Sequence, residues 1–72
     1  MNIDRLVTMA NEIASFFGSE ANADLAVEGV VNHLTRFWEP RMKREIAAHF
    51  RQGGSGLTPV AAAAVAILAE RY

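Results

Sequence analysis

Two histidines, His33 and His49, together with carboxylates such as Glu12, Glu39 and Glu45, are the side chains this chain offers for holding a metal ion. A zinc-type site needs three or four such ligands converging on one point, and helices deliver them through short repeats. The sequence has no His-x-x-x-His, no Glu-x-x-His and no cysteine pair. A lone helical histidine more often serves as a hydrogen-bonded structural residue than as a ligand, so no metal site is assigned. Thr8, Ser15, Ser19, Thr35, Ser55 and Thr58 supply hydroxyls, but none stands in a nucleophile elbow or has a base placed beside it by helical spacing. Gly53-Gly54-Ser55-Gly56-Leu57 has the glycine content of a phosphate-binding loop, yet it lacks the Lys-Ser/Thr pair that would reach a nucleotide. It reads as a linker or hinge. No catalytic or cofactor-binding residue is assigned either.

What remains is a set of residues suited to recognition. Arg36, Arg41, Lys43, Arg44 and Arg51 are five of the seven lysines and arginines, and they fall within sixteen positions. Glu39 and Glu45 lie among them, so one account is a solvated helical face. The other is a docking patch, because Arg36 and Arg41 bracket Phe37 and Trp38, and tryptophan and arginine are the residue types most enriched where interfaces carry their energy. Arg36, Phe37, Trp38, Pro40, Arg41 and Met42 are therefore the expected partner-binding residues. Adjacent residues on a helix point about 100° apart. If Phe37 faces inward with Leu34, Trp38 is left on the flank, free for helix three or a partner. A net charge of −1 and few aromatic residues make nucleic acid an improbable target.

Helices must position these residues. Ile3, Leu6, Val7, Ala10, Ile13, Ala14 and Phe17 mark one face of a first helix, ended by Gly18-Ser19. Asn22 or Ser19 is the expected cap of a second helix, from about Ala21 to Trp38, whose inward series is Ala23, Ala26 or Val27, Val30, Leu34 and Phe37. Gly29 inside it costs about 1 kcal/mol against alanine, which points to a close helix crossing there. Glu39-Pro40 enforces a sharp turn, because the residue before proline avoids helical geometry while proline suits the first helical position. A third helix then runs to about Gln52 with Met42, Ile46, Ala47 and Phe50 inward and Arg41, Lys43, Arg44, Glu45 and Arg51 mostly in water. Thr58-Pro59 opens a fourth through Val60, Ala64, Ile67 and Leu68 to about Arg71. Four short helices suggest a compact bundle, although alanines bury little area each, so the first three helices could form the core with this last one packed loosely or held by a partner. The expected fold is all-α, a small bundle of three to four short helices in a single domain over residues 1–72.

A chain of 72 residues buries a smaller share of its surface than an average domain, and it lacks the disulfides that often offset that deficit. Association is the remedy left, including a homodimer when the chain is isolated. With 51% apolar residues the chain is expected to fold. Its longest apolar stretch, Pro59 to Ala69, is far short of the roughly 20 residues that span a bilayer. The N-terminal residues have no secretory pattern, so the expected location is the cytoplasm.

Three segments carry a resemblance: Leu6-Val7-Thr8-Met9-Ala10-Asn11-Glu12-Ile13-Ala14-Ser15-Phe16-Phe17, His33-Leu34-Thr35-Arg36-Phe37-Trp38-Glu39-Pro40-Arg41-Met42, and Gly53-Gly54-Ser55-Gly56-Leu57-Thr58-Pro59-Val60. Together they resemble the delta subunit of NAD-dependent formate dehydrogenases, with Phe37 to Met42 the most specific part. The resemblance implies a non-catalytic accessory subunit of a cytoplasmic complex that oxidises formate with NAD. In such a complex a catalytic alpha subunit carries a molybdenum or tungsten bis-pterin cofactor and iron-sulfur clusters, and other subunits carry FMN and further clusters. The delta subunit itself is expected to hold no cofactor, and to dock on the catalytic subunit to stabilise it or support insertion of the metal cofactor. A transient assembly chaperone and a stand-alone regulatory or nucleic-acid-binding helical module are the alternatives.

Overall fold

Four α-helices follow one another: α1 (Ile3–Phe17), α2 (Ala23–Phe37), α3 (Pro40–Arg51) and α4 (Pro59–Ala69). The structure, a computed structural model, describes residues 2–18 and 22–72, and no strand occurs among them. Ser19 and Ala21, named above at the start of the second helix, lie outside the described residues. The fold class is the all-α bundle that the apolar periodicity predicts.

The helix starts follow two recipes. Asn2 and Asn22 each sit in extended geometry and accept a hydrogen bond at 2.8 Å from the backbone N–H of Asp4 and Asp24, so α1 and α2 have side-chain caps and an acidic first turn. α3 and α4 instead begin with Pro40 and Pro59, whose missing N–H is not needed at the first position. Glu39 and Thr58 precede them at ψ 152 and 162, the extended backbone that a following proline favours. Neither of these two side chains caps its helix. The backbone N–H of Thr58 donates to Asn11 Oδ1 at 2.9 Å, a link from α1 to the start of α4.

The fourth helix settles a choice that its alanine content leaves open. Far from being held loosely, α4 packs on all three other helices, most extensively on α3 and α2. Ala61, Ala64, Val65 and Leu68 are fully buried. The reason lies in its composition: Pro59–Ala69 has no charged or polar side chain, and a helix that is apolar all round belongs in the interior rather than on an edge. Alanine contributes little area, but Ala61 and Ala64 join Val65, Leu68, Leu6, Val30, Leu34 and Ile46 in one buried cluster. Arg51 of α3 donates to the carbonyl oxygen of Ala69, which also accepts from the N–H of Tyr72 at 3.2 Å, so two donors close the end of α4. The radius of gyration, 10.8 Å, agrees with the roughly 11 Å expected when a chain of this length is fully collapsed.

The glycine-rich connection between α3 and α4 is built rather than loose. The N–H of Gly53 bonds to Phe50 O and that of Gly54 to His49 O, both at 3.0 Å, the paired bonds with which a left-handed glycine ends a helix. Gly53, Gly54 and Gly56 have φ of 122, 65 and 88, a backbone region open mainly to glycine. His49 Nε2 hydrogen-bonds to Ser55 O at 2.8 Å, and Asn11 Nδ2 donates to Gly56 O at 2.9 Å. Asn11 thus holds both ends of residues 56–58 with the two halves of one amide. The segment is thus a loop clipped to α1 and to α3.

Candidate functional site

The corner between α2 and α3 carries the predicted partner-binding residues, and the structure sorts them in an unexpected way. Arg36, Phe37, Pro40 and Arg41 are exposed, and Met42 is half-buried. Trp38, expected on the flank, is buried at 5% exposure, while Phe37, expected inward, is 71% exposed. The inward series of α2 explains the exchange. Its buried members are Ala26, Val30, Val31 and Leu34, with Trp38 after them, and the step of four from Val30 to Leu34 ends on Trp38 rather than on Phe37. Trp38 no longer has helical backbone angles, at φ −83 and ψ 138, but its N–H still bonds to Leu34 O at 3.1 Å. Its Cα therefore remains in register with the helix, and its ring enters the core. Trp38 braces the corner from within.

Lys43 is the second inversion. Expected in water, it is 7% exposed. Its stem is covered while Nζ donates to Thr35 O at 3.1 Å, near the negative end of α2, and stands 5.6 Å from the centre of the Tyr72 ring. With Lys43 enclosed and Arg51 committed to Ala69 O, the basic run of the sequence does not form a continuous cationic face. Arg36, Arg41 and Arg44 remain exposed around the corner, Arg41 only 4.0 Å from Glu45 Oε1 with its side chain 78% exposed. A pair at that distance, with one partner largely in water, contributes little to stability.

Beside the corner lies a surface that sequence reasoning missed. Met9, Glu12, Ile13, Phe16, Phe17 and His33 line a mainly apolar depression of about 560 Å³ between α1 and α2. A smaller one of about 240 Å³ continues from Phe17 and His33 across Gly29 to Arg36 and Phe37. Phe16 is 76% exposed on one side of this strip and Phe37 closes the other. Phe16 meets Phe17 edge-on at 5.3 Å between ring centres, and His33 lies 4.9 Å from Phe37. Gly29 makes the strip possible: a Cβ there would stand 2.5 Å from Phe17 Cδ1. The close approach inferred from this glycine is therefore real, but it is made by an aromatic ring rather than by a second helix backbone. The pair Phe16-Phe17 carried the missing signal, since Phe17 belongs to the inward series of α1 and its neighbour must then point about 100° away.

The arrangement suits recognition. His33 lies tilted against the Phe37 ring and His49 bonds to a carbonyl, and among the described residues no three His, Cys, Asp or Glu side chains gather as a metal site would require. Also among the described residues, no helix is long and apolar enough to cross a membrane. Neither the curated proteins nor the solved structures searched contain a match to this chain. A family model does match, that of the NADH-dependent formate dehydrogenase delta subunit FdsD, over residues 5–65, a span that takes in most of α1, all of α2, the proline corner and α3, and most of α4. The chain belongs to the formate dehydrogenase delta subunit family.

Proposed function

We propose that the chain is a non-catalytic accessory subunit that docks on the catalytic subunit of a cytoplasmic, NAD-dependent formate dehydrogenase through the corner formed by Arg36, Phe37, Pro40, Arg41 and Met42. The observation that carries this reading is the 71% exposure of Phe37 on a corner held rigid by Pro40 and by the buried Trp38 ring. A large apolar side chain presented on a stiff support loses little entropy on binding, and the flanking Arg36 and Arg41 add directional polar contacts. Family membership supplies the identity of the complex. The molybdenum or tungsten centre, the iron-sulfur clusters and the flavin belong to other subunits, and the absence of any cysteine in this chain fits a subunit that holds no cluster. Docking stabilises the catalytic subunit or supports insertion of its metal cofactor.

Co-expression of the tagged chain with the catalytic subunit tests the reading and separates the two roles. A Phe37→Ala, Arg41→Ala variant, still helical by circular dichroism, is expected to lose at least about tenfold in co-purified catalytic subunit. Unchanged co-purification would remove the corner as the docking surface. Omission of the chain with activity lowered at constant metal content identifies a structural subunit. Lowered metal content, with the chain absent from the mature enzyme, identifies an assembly factor.

A further inference from the structure

The strip between Phe16 and Phe37 has a property the corner lacks: its charges are self-complementary. Glu12 borders only the larger depression and Arg36 only the smaller, with Phe17 and His33 common to both. Both charged residues are exposed, and among the described residues neither forms an ion pair. We propose that this face is a self-association surface on which two copies of the chain meet about a two-fold axis. In a two-fold contact, if residue i of one copy meets residue j of the other, then j also meets i. A surface carrying one carboxylate and one guanidinium on its two lobes therefore supplies both partners of two equivalent ion pairs, Glu12 of each copy with Arg36 of the second. The same rotation brings the Phe16 and Phe37 rings of each copy over the apolar floor of Met9, Ile13 and Phe17.

The surface area sets the strength. Phe16 and Phe37, at 76% and 71% exposure, together leave on the order of 300 Å² of mainly apolar surface per copy. The half-buried Met9, Ile13, Phe17 and His33 add to this, but the total stays below the roughly 800 Å² per partner of a standard stable interface. The dimer is accordingly weak and reversible, formed in the micromolar range or above. It covers Arg36 and Phe37, so a self-associated chain withholds two of the five residues of the proline corner. The proposal goes beyond docking on the enzyme, and its test needs only the isolated chain.

Sedimentation velocity of the purified chain over a dilution series from low micromolar to millimolar concentration should show a single monomer–dimer equilibrium. Phe16→Ser and Phe37→Ser are each expected to weaken it by about tenfold or more. Glu12→Arg alone and Arg36→Glu alone each place like charges together and should weaken it several-fold. The double variant Glu12→Arg, Arg36→Glu restores both ion pairs with their signs exchanged, and should return the dissociation constant to within about twofold of the parent. All four positions lie on the surface, and helical content by circular dichroism checks that each variant is folded. A chain that stays monomeric throughout the series overturns the proposal. So does a dimer indifferent to the two serine substitutions, or a double charge variant no stronger than either single one. None of these outcomes bears on co-purification with the catalytic subunit, so failure here and failure of the enzyme-docking reading are told apart.

Discussion

Helix α4 and the outer face of α1 and α2 are built from opposite materials. α4 is a run of alanine and valine with one isoleucine and one leucine, without an aromatic or charged residue, and it lies against all three other helices. The outer face sets the two most exposed large apolar side chains of the described structure, Phe16 and Phe37, in water. The smallest hydrophobic residues are thus inside and some of the largest outside. Hydrophobicity by itself does not rank residues for burial in so small a bundle; position relative to the inward stripe does. Small side chains on that stripe bring helices together, and close contact there gives dispersion energy that area alone understates. Single exposed apolar residues are ordinary, but two rings flanking one apolar strip are a cluster, and clusters of this kind mark recognition surfaces.

The largest effect expected from this contrast falls on α4. Leu68 is fully buried there and its neighbour Ile67 is 39% exposed. Leu68→Ala should lower the free energy of unfolding by about 2–5 kcal/mol, whereas Ile67→Ala should cost about 1 kcal/mol or less, read from urea titrations of the two variants under identical conditions. Similar losses at both positions would mean that α4 does not sit centrally, and that the loosely held helix its alanine content allows is the better description.

How far the sequence reveals this arrangement differs from element to element. The inward face of α1 is legible in full, because Ile3, Leu6, Val7, Ala10, Ile13, Ala14 and Phe17 keep one period and all are at least half-buried. The two proline starts are equally legible, since they follow from the covalent geometry of the residue pair. The end of α2 is not. Leu34 is followed by aromatic residues at both the third and the fourth step, each compatible with a helical stripe, and only the contacts of the folded chain choose Trp38. Lys43 is hidden for a related reason: its burial depends on a carbonyl of α2 and on the ring of Tyr72, twenty-nine residues away in sequence. The turn between α2 and α3 is legible from Glu39-Pro40, but which side chains from Arg36 to Met42 it buries is not.

A middle-sized effect is expected where the two regions share a helix. Gly29 lies on α2 beneath the Phe17 ring. Alanine is the better helix former by about 1 kcal/mol, so propensity favours Gly29→Ala. The added methyl carbon, however, would stand 2.5 Å from Cδ1 and 2.7 Å from Cε1 of Phe17, a distance at which the ring must be displaced. Overpacking of this kind costs about 1–3 kcal/mol, so the net change should be a loss of up to about 2 kcal/mol. The sign should reverse in a Phe17→Ala background, where the alanine meets no ring and stabilises by up to about 1 kcal/mol. Thermal unfolding of the four members of this cycle gives the coupling directly. Additive effects would show that the ring is not seated on Gly29.

The smallest expected effect separates the two regions most cleanly. Phe16→Ser and Phe37→Ser should each change the free energy of unfolding by no more than about 1 kcal/mol, because three quarters or nearly so of each ring is already in water. Each substitution removes a ring-to-ring contact, Phe16 with Phe17 or Phe37 with His33, and contacts of this type contribute about 0.5–1.5 kcal/mol even when well packed. The same two substitutions should abolish most of the self-association. A side chain whose removal leaves folding nearly intact yet ends association is retained for what it touches outside the chain. If instead Phe16→Ser or Phe37→Ser unfolded the protein as readily as Leu68→Ala, these rings would be part of the core, and the outer face of α1 and α2 would have to be assigned to stability rather than to recognition.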